Sequence, residues 1–136
     1  MYPGPERIDN TTDEFVIPAT CTNYTNWPYG ADSPPAYMSR WGGDMINNRY
    51  INRKIDYLLG EDDIVTTGTL NTEDCEAILL GKNRFQRGAN MYDYMSKFHA
   101  DSLMHSKTVV PEVGHDGQFM FNSTTALSLV NKFLEQ

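Results

Sequence analysis

Short β-prone runs alternate with helix-like stretches along this chain, and that alternation constrains the fold more than any other feature. Glu14, Phe15, Val16, Ile17 and Pro18 form a β-branched and aromatic run closed by proline. Ile55, Asp56, Tyr57, Leu58 and Leu59 make a second run stopped by Gly60, and Thr108, Val109 and Val110 a third. Between the last two, Asn71 reads as an N-cap, Glu73 and Asp74 put acids in a first turn, Ala77, Ile78 and Leu79 give an apolar face, and Gly81 closes the helix. A further helix is expected over 91–106, where Met91, Tyr94, Met95, Phe98, Ser102 and Leu103 recur at three- and four-residue spacing. Ser123 or Asn122 then caps a last helix with Ala126, Leu127, Val130, Phe133 and Leu134 on one side. Strand and helix in alternation predict an α/β fold with about three parallel strands joined by crossover helices.

The rest of the chain divides around this frame. Residues 1–13, rich in Pro, Gly and Thr, read as an extended lead-in or linker, which leaves 14–136 as the folded region. Residues 20–37 mix Pro28, Gly30, Pro34 and Pro35 with Tyr24, Trp27, Tyr29 and Tyr37, so they form a long aromatic loop and not a helix. Gly42 and Gly43 break 37–50 into short turns.

Composition removes several function classes. A net charge of -7 opposes a phosphate-binding surface, so no nucleic-acid partner is expected. No apolar stretch approaches the roughly 20 residues of a bilayer crossing, and the opening lacks a basic region followed by an apolar run. A soluble, cytoplasmic chain is the expectation. Cys21 and Cys75 match no metal or redox spacing and are expected to be free buried thiols. Asn10, Asn23 and Asn122 begin glycosylation sequons, which arise by chance in a chain rich in Asn and Thr.

Chemistry concentrates where two of the runs end. Gly60-Glu61-Asp62-Asp63 follows the second run, and Val113-Gly114-His115-Asp116-Gly117 lies just past the third. In a parallel sheet, reactive residues cluster at the carboxyl ends of strands. Imidazole can take a nucleophile's proton, and a carboxylate can fix its tautomer and stabilise its cation. Asp63 and His115 have those types in the chain order acid then base, with Asp62 in reserve for the acid. Asp116 is expected to steady its loop, since adjacent residues seldom orient a ring. His99 and His105, six apart on the expected helix, point about 240° apart and cannot easily share a metal. No metal or other cofactor is therefore expected. Arg84 and Arg87, flanking Phe85 in a loop, read as structural pairing residues. Trp27 and Tyr29 are candidates to line a substrate pocket, beside the plainer reading that they pack on the core.

Beyond spacing, the chain resembles the carboxyl-terminal part of bacterial and fungal α/β-hydrolases, from about Phe15 onward. The resemblance lies in Asn26-Trp27-Pro28-Tyr29-Gly30, in Tyr57-Leu58-Leu59-Gly60-Glu61-Asp62-Asp63, in Gly81-Lys82-Asn83-Arg84-Phe85-Gln86-Arg87-Gly88, and in Val113-Gly114-His115-Asp116-Gly117. It implies a partial α/β-hydrolase fold whose strands are the last of the sheet, with Asp63 as triad acid and His115 as base. None of Ser33, Ser39, Ser96, Ser102, Ser106, Ser123 or Ser128 stands in the G-x-S-x-G turn that exposes a nucleophile. Cys21 has no such turn either.

Two readings follow. In the first, the chain supplies acid and base to a serine hydrolase of small esters or amides and is inactive without a nucleophile-bearing half. In the second, it is a non-catalytic α/β interaction or assembly module. Both expect the exposed edge of the sheet to be covered, by the complementary N-terminal half or by self-association.

Overall fold

A computed structural model describes residues 1–135 of the chain. The elements run β1 (Arg7–Asp9), β2 (Glu14–Val16), α1 (Ala36–Ser39), α2 (Gly42–Ile51), β3 (Ile55–Gly60), α3 (Cys75–Ile78), α4 (Arg84–Phe98), β4 (His105–Val110), α5 (Gly117–Asn122) and α6 (Thr124–Leu134). It is a mixed α/β domain. β3 and β4 pair in parallel, Ile55 opposite His105 through Gly60 opposite Val110. The connection between them carries α3 and α4, and α4 packs on the pair.

Among the described residues the expected third parallel strand is not there. β2 instead pairs antiparallel with β1, in a hairpin that Asp9 closes: its Oδ1 accepts from the Thr11 amide at 2.8 Å and its carbonyl from the Asp13 amide at 2.8 Å. A three-residue run followed by Pro18 is too short and too donor-poor for a central parallel strand. Its aromatic residue does contribute to packing, because the Phe15 ring meets Tyr94 and Phe98 edge-on, each at 5.6 Å.

The opening residues are part of the body rather than an extended lead-in. Tyr2 is buried with Met91, Tyr94 and Met95, and Phe15, Tyr57, Leu80 and Leu103 pack around them. Arg7 is 1% exposed. Its guanidinium sits over the Tyr2 and Tyr24 rings and donates to the carbonyls of Gly4, Glu6, Tyr24 and Tyr29. The two terminal nitrogens offset the burial of the charge through these bonds, while Nε is buried with no hydrogen-bond partner.

The cysteines are bonded to each other, not free. Cys21 and Cys75 lie 54 residues apart in sequence with Cα atoms 5.9 Å apart, and their disulfide ties the aromatic loop to α3. Loop closure over that span restricts the unfolded chain by roughly 4 kcal/mol. Reducing cytosol does not preserve such bonds, which counts against the cytoplasmic expectation. Among the described residues no helix is long and apolar enough to cross a membrane.

Helix boundaries move for local reasons. α4 starts at Arg84, not Met91, because Asn83 accepts from the Gln86 amide at 2.8 Å while the Gln86 side chain accepts from the Lys82 amide at 2.7 Å. Gly88 inside it is a packing residue, since a Cβ there would strike Leu59 on β3. The helix ends at Phe98, so His105 belongs to β4 and shares no helix with His99. Buried His105 faces Tyr57 Oη at 3.0 Å through Nδ1 and donates from Nε2 to the Tyr50 carbonyl at 3.1 Å, fastening the end of α2 to the start of β4. The helix expected after Asn71 shrinks to the single turn of α3. Asn71 folds an Asx turn through the Glu73 and Asp74 amides instead of capping a helix. Residues 42–51, expected to be broken turns, form α2, because Gly42 stands at its first position and not inside it. At the other end, Ser123 caps α6 through the Ala126 amide as expected.

Candidate functional site

Three consecutive constraints carry Asp63 to its place. Gly60 ends β3 where the chain runs against the loop after β4, and any Cβ at Gly60 would fall on the Val113 carbonyl oxygen. The Glu61 amide then donates to the Val110 carbonyl at 2.9 Å and the Asp62 amide to the Val113 carbonyl at 3.0 Å. These bonds lace the two strand-end loops together. The Asp63 amide closes the turn on the Gly60 carbonyl at 3.1 Å, and its own carbonyl accepts from the Phe85 amide at 3.0 Å in the first turn of α4.

His115 arrives from the other loop. Gly114 leaves room beside Asp62, and Asp116 caps α5 by accepting from the Phe119 amide at 3.0 Å. The carboxylate next to the histidine is thus committed to a helix end. The His115 ring turns to Asp63, Nδ1 to Oδ2 at 3.0 Å, with the His115 side chain 62% and the Asp63 side chain 15% exposed. A carboxylate can only accept, so Nδ1 carries the proton in this pair. Among the described residues Nε2 has no hydrogen-bond partner, on a side chain that is largely exposed.

Arg84 completes the surroundings of the acid. Its Nη1 lies 4.0 Å from Asp63 Oδ1, a buried oxygen with no hydrogen-bond partner, and its Nη2 donates to Thr69 at 2.8 Å. Arg87 donates to the carbonyls of Gly81 at 2.9 Å and Asn71 at 2.6 Å. Both arginines therefore hold the loop after the acid, and they do so from α4, not from a loop. Helical spacing places them three apart on one face, and the Asn83 and Gln86 capping pair was the sequence signal for it.

The aromatic candidates separate from this pair. Tyr29 Oη accepts from Asn71 Nδ2 at 3.2 Å, on the loop that Arg87 holds, while Trp27 lines a cavity with Met38, Trp41 and Arg53. Neither makes a hydrogen bond, ion pair or ring contact with Asp63 or His115. As for metals, Cys21, Cys75 and Glu76 bring ligand atoms within 4.8 Å, but the two sulfurs are joined and a metal takes a thiolate.

No family model matches the chain, and no curated protein matches it. Among solved structures it is similar to the poly(3-hydroxybutyrate) depolymerase LpqC of Bordetella parapertussis, at 27% identity and a TM-score of 0.54. The alignment covers 62% of this chain and 29% of that one, so the chain spans under a third of the depolymerase's length. The likeness supports a hydrolase-like α/β arrangement.

Proposed function

We propose that Asp63 and His115 are the acid and base of a serine-hydrolase triad acting on esters, completed by a nucleophile on polypeptide outside these 136 residues. The observation that carries this reading is the division of the imidazole: Nδ1 is engaged by a carboxylate, Nε2 has no partner among the described residues, and the side chain is 62% exposed. In that arrangement Nε2 takes the proton of an attacking hydroxyl and returns it to the leaving alcohol, while Asp63 stabilises the transient imidazolium. The similar structure is a poly(3-hydroxybutyrate) depolymerase, which favours esters over amides as substrates. Tyr29, bonded to Asn71 on the loop after the acid, borders the substrate, whereas Trp27 lines a separate cavity.

A second reading, the non-catalytic assembly module, has its own support. The parallel sheet has only two strands, so each has an unpaired edge, and Phe119, Phe121 and Leu134 stand exposed on α5 and α6. A complementary half or a second copy would cover them in either reading.

Grafting the chain behind the nucleophile-bearing part of the Bordetella depolymerase and assaying a short-chain nitrophenyl ester distinguishes the two. A catalytic pair gives hydrolysis that falls by about 10³-fold or more in His115→Ala. Activity indifferent to His115→Ala would assign the chain to the second reading.

A further inference from the structure

Both tryptophans of the chain, Trp27 and Trp41, line one open cavity of about 320 Å³, together with Met38, Ile46, Arg49 and Arg53. We propose that this cavity binds a small amphiphilic anion, a carboxylate carrying an unbranched apolar tail.

Its walls supply the two halves of that ligand. The indoles, Met38 and Ile46 offer apolar surface, and the volume falls at the low end of the roughly 300–1,000 Å³ of small-molecule sites. No carboxylate lines the cavity. Positive charge gathers there instead: the Arg40 guanidinium lies 4.3 Å and that of Arg49 5.3 Å from the Trp41 ring centroid, with Arg53 at the rim. Among the described residues, none of Arg40, Arg49 or Arg53 forms an ion pair. That is unexpected in a chain with 18 acidic and 11 basic residues, where a free acid could reach most exposed arginines. A guanidinium positioned over an indole still has N–H donors to offer, and these match a carboxylate in a two-bond fork.

The cavity is remote from the acid and base pair. Tyr50, one of its walls, accepts a hydrogen bond from His105 at the first residue of β4, whereas His115 follows the last. A six-residue strand separates those ends by roughly 17 Å. The anion site therefore stands whether or not the hydrolase reading does.

Because the only tryptophans line the cavity, the fluorescence of the whole chain reports its occupancy. Octanoate, octan-1-ol and octylammonium are titrated below their micellar ranges. The expected result is a saturable change with octanoate, about fivefold tighter than with octanol, and none with octylammonium. In the triple variant Arg40→Gln, Arg49→Gln and Arg53→Gln, most of the octanoate preference over octanol should be lost. In the native chain, added salt should weaken octanoate and leave octanol unchanged, a readout independent of how the variant folds. No saturable response to octanoate, equal affinity for all three probes, or an octanoate preference insensitive to salt would overturn the proposal.

Discussion

The loops that follow β3 and β4 and the segment that opens the chain are built on different principles. Where the strands finish, Asp63 and His115 are held by short backbone bonds between neighbouring turns: Glu61 to Val110, Asp62 to Val113, Asp63 to Gly60. On the side of the chain opening, order depends on ties between distant segments. Arg7 reaches the carbonyls of Tyr24 and Tyr29, and Cys21 reaches Cys75. The contrast teaches that the polar pair rests on local geometry, and that the body beneath it rests on a few long-range fastenings. Damage to the fastenings should unfold the chain, whereas damage at the strand ends should disturb the pair and spare the body.

The largest effect is expected from the disulfide. Replacing Cys21 and Cys75 together by Ser should lower unfolding stability by roughly 4 kcal/mol in urea titration. A change under about 1 kcal/mol would mean that the aromatic loop is anchored some other way. Arg7→Met should cost about 3 kcal/mol, since it strands four carbonyls around a buried site. An unaltered midpoint would show those carbonyls to be solvated already.

Gly60→Ala moves the test to the strand ends. The added methyl falls on the Val113 carbonyl, so about 2 kcal/mol should be lost, with backbone amide shifts concentrated in 60–63 and 113–116. Shifts spread evenly through α4 would break the distinction between local and long-range support.

The smallest effect is alkaline. Burial foremost, then the nearby Glu6 carboxylate, pushes the Tyr94 phenol up to about 12, against an ordinary value of 10. Tyr2 moves the same way, chiefly through burial. Below pH 10 these phenols are neutral in both states and contribute no pH dependence. Above it the unfolded chain releases protons that the folded chain keeps, so stability should fall as pH rises from 10 towards 12. Melting temperatures at intervals across that window, with phenolate absorbance, would check the sign. Stability rising there would contradict the burial of these rings.

The same contrast decides what could be read from the residues alone. β3 and the Thr108–Val110 half of β4 were legible as short β-prone runs, and the turns after them because glycine marks a chain crossing. The arrangement of Asp63 and His115 past those strands followed from that. The long-range ties were not legible. Two cysteines at arbitrary spacing do not declare a bond, and a lone Arg7 in a Pro-rich opening looks like solvated polarity. The run at 14–16 reads as a strand, but periodicity carries no information about partners, and β2 pairs with β1 instead of β3 or β4. His105 was drawn into a helix because apolar spacing ran on past Phe98, where the chain had already turned towards β4. Trp27 and Tyr29 were grouped by composition, and the fold sends one to the arginine-rimmed cavity and the other to Asn71.

If Asp63 fixes His115, the imidazole carries its proton on Nδ1 and leaves Nε2 to accept. Nitrogen-15 chemical shifts of the His115 ring report the tautomer directly, in the isolated chain, at a pH where imidazole is neutral. The expectation is the Nδ1–H form in the native chain, with a shift in Asp63→Asn towards the Nε2–H form common to free imidazoles. A tautomer mixture in the native chain that Asp63→Asn leaves unchanged would contradict it.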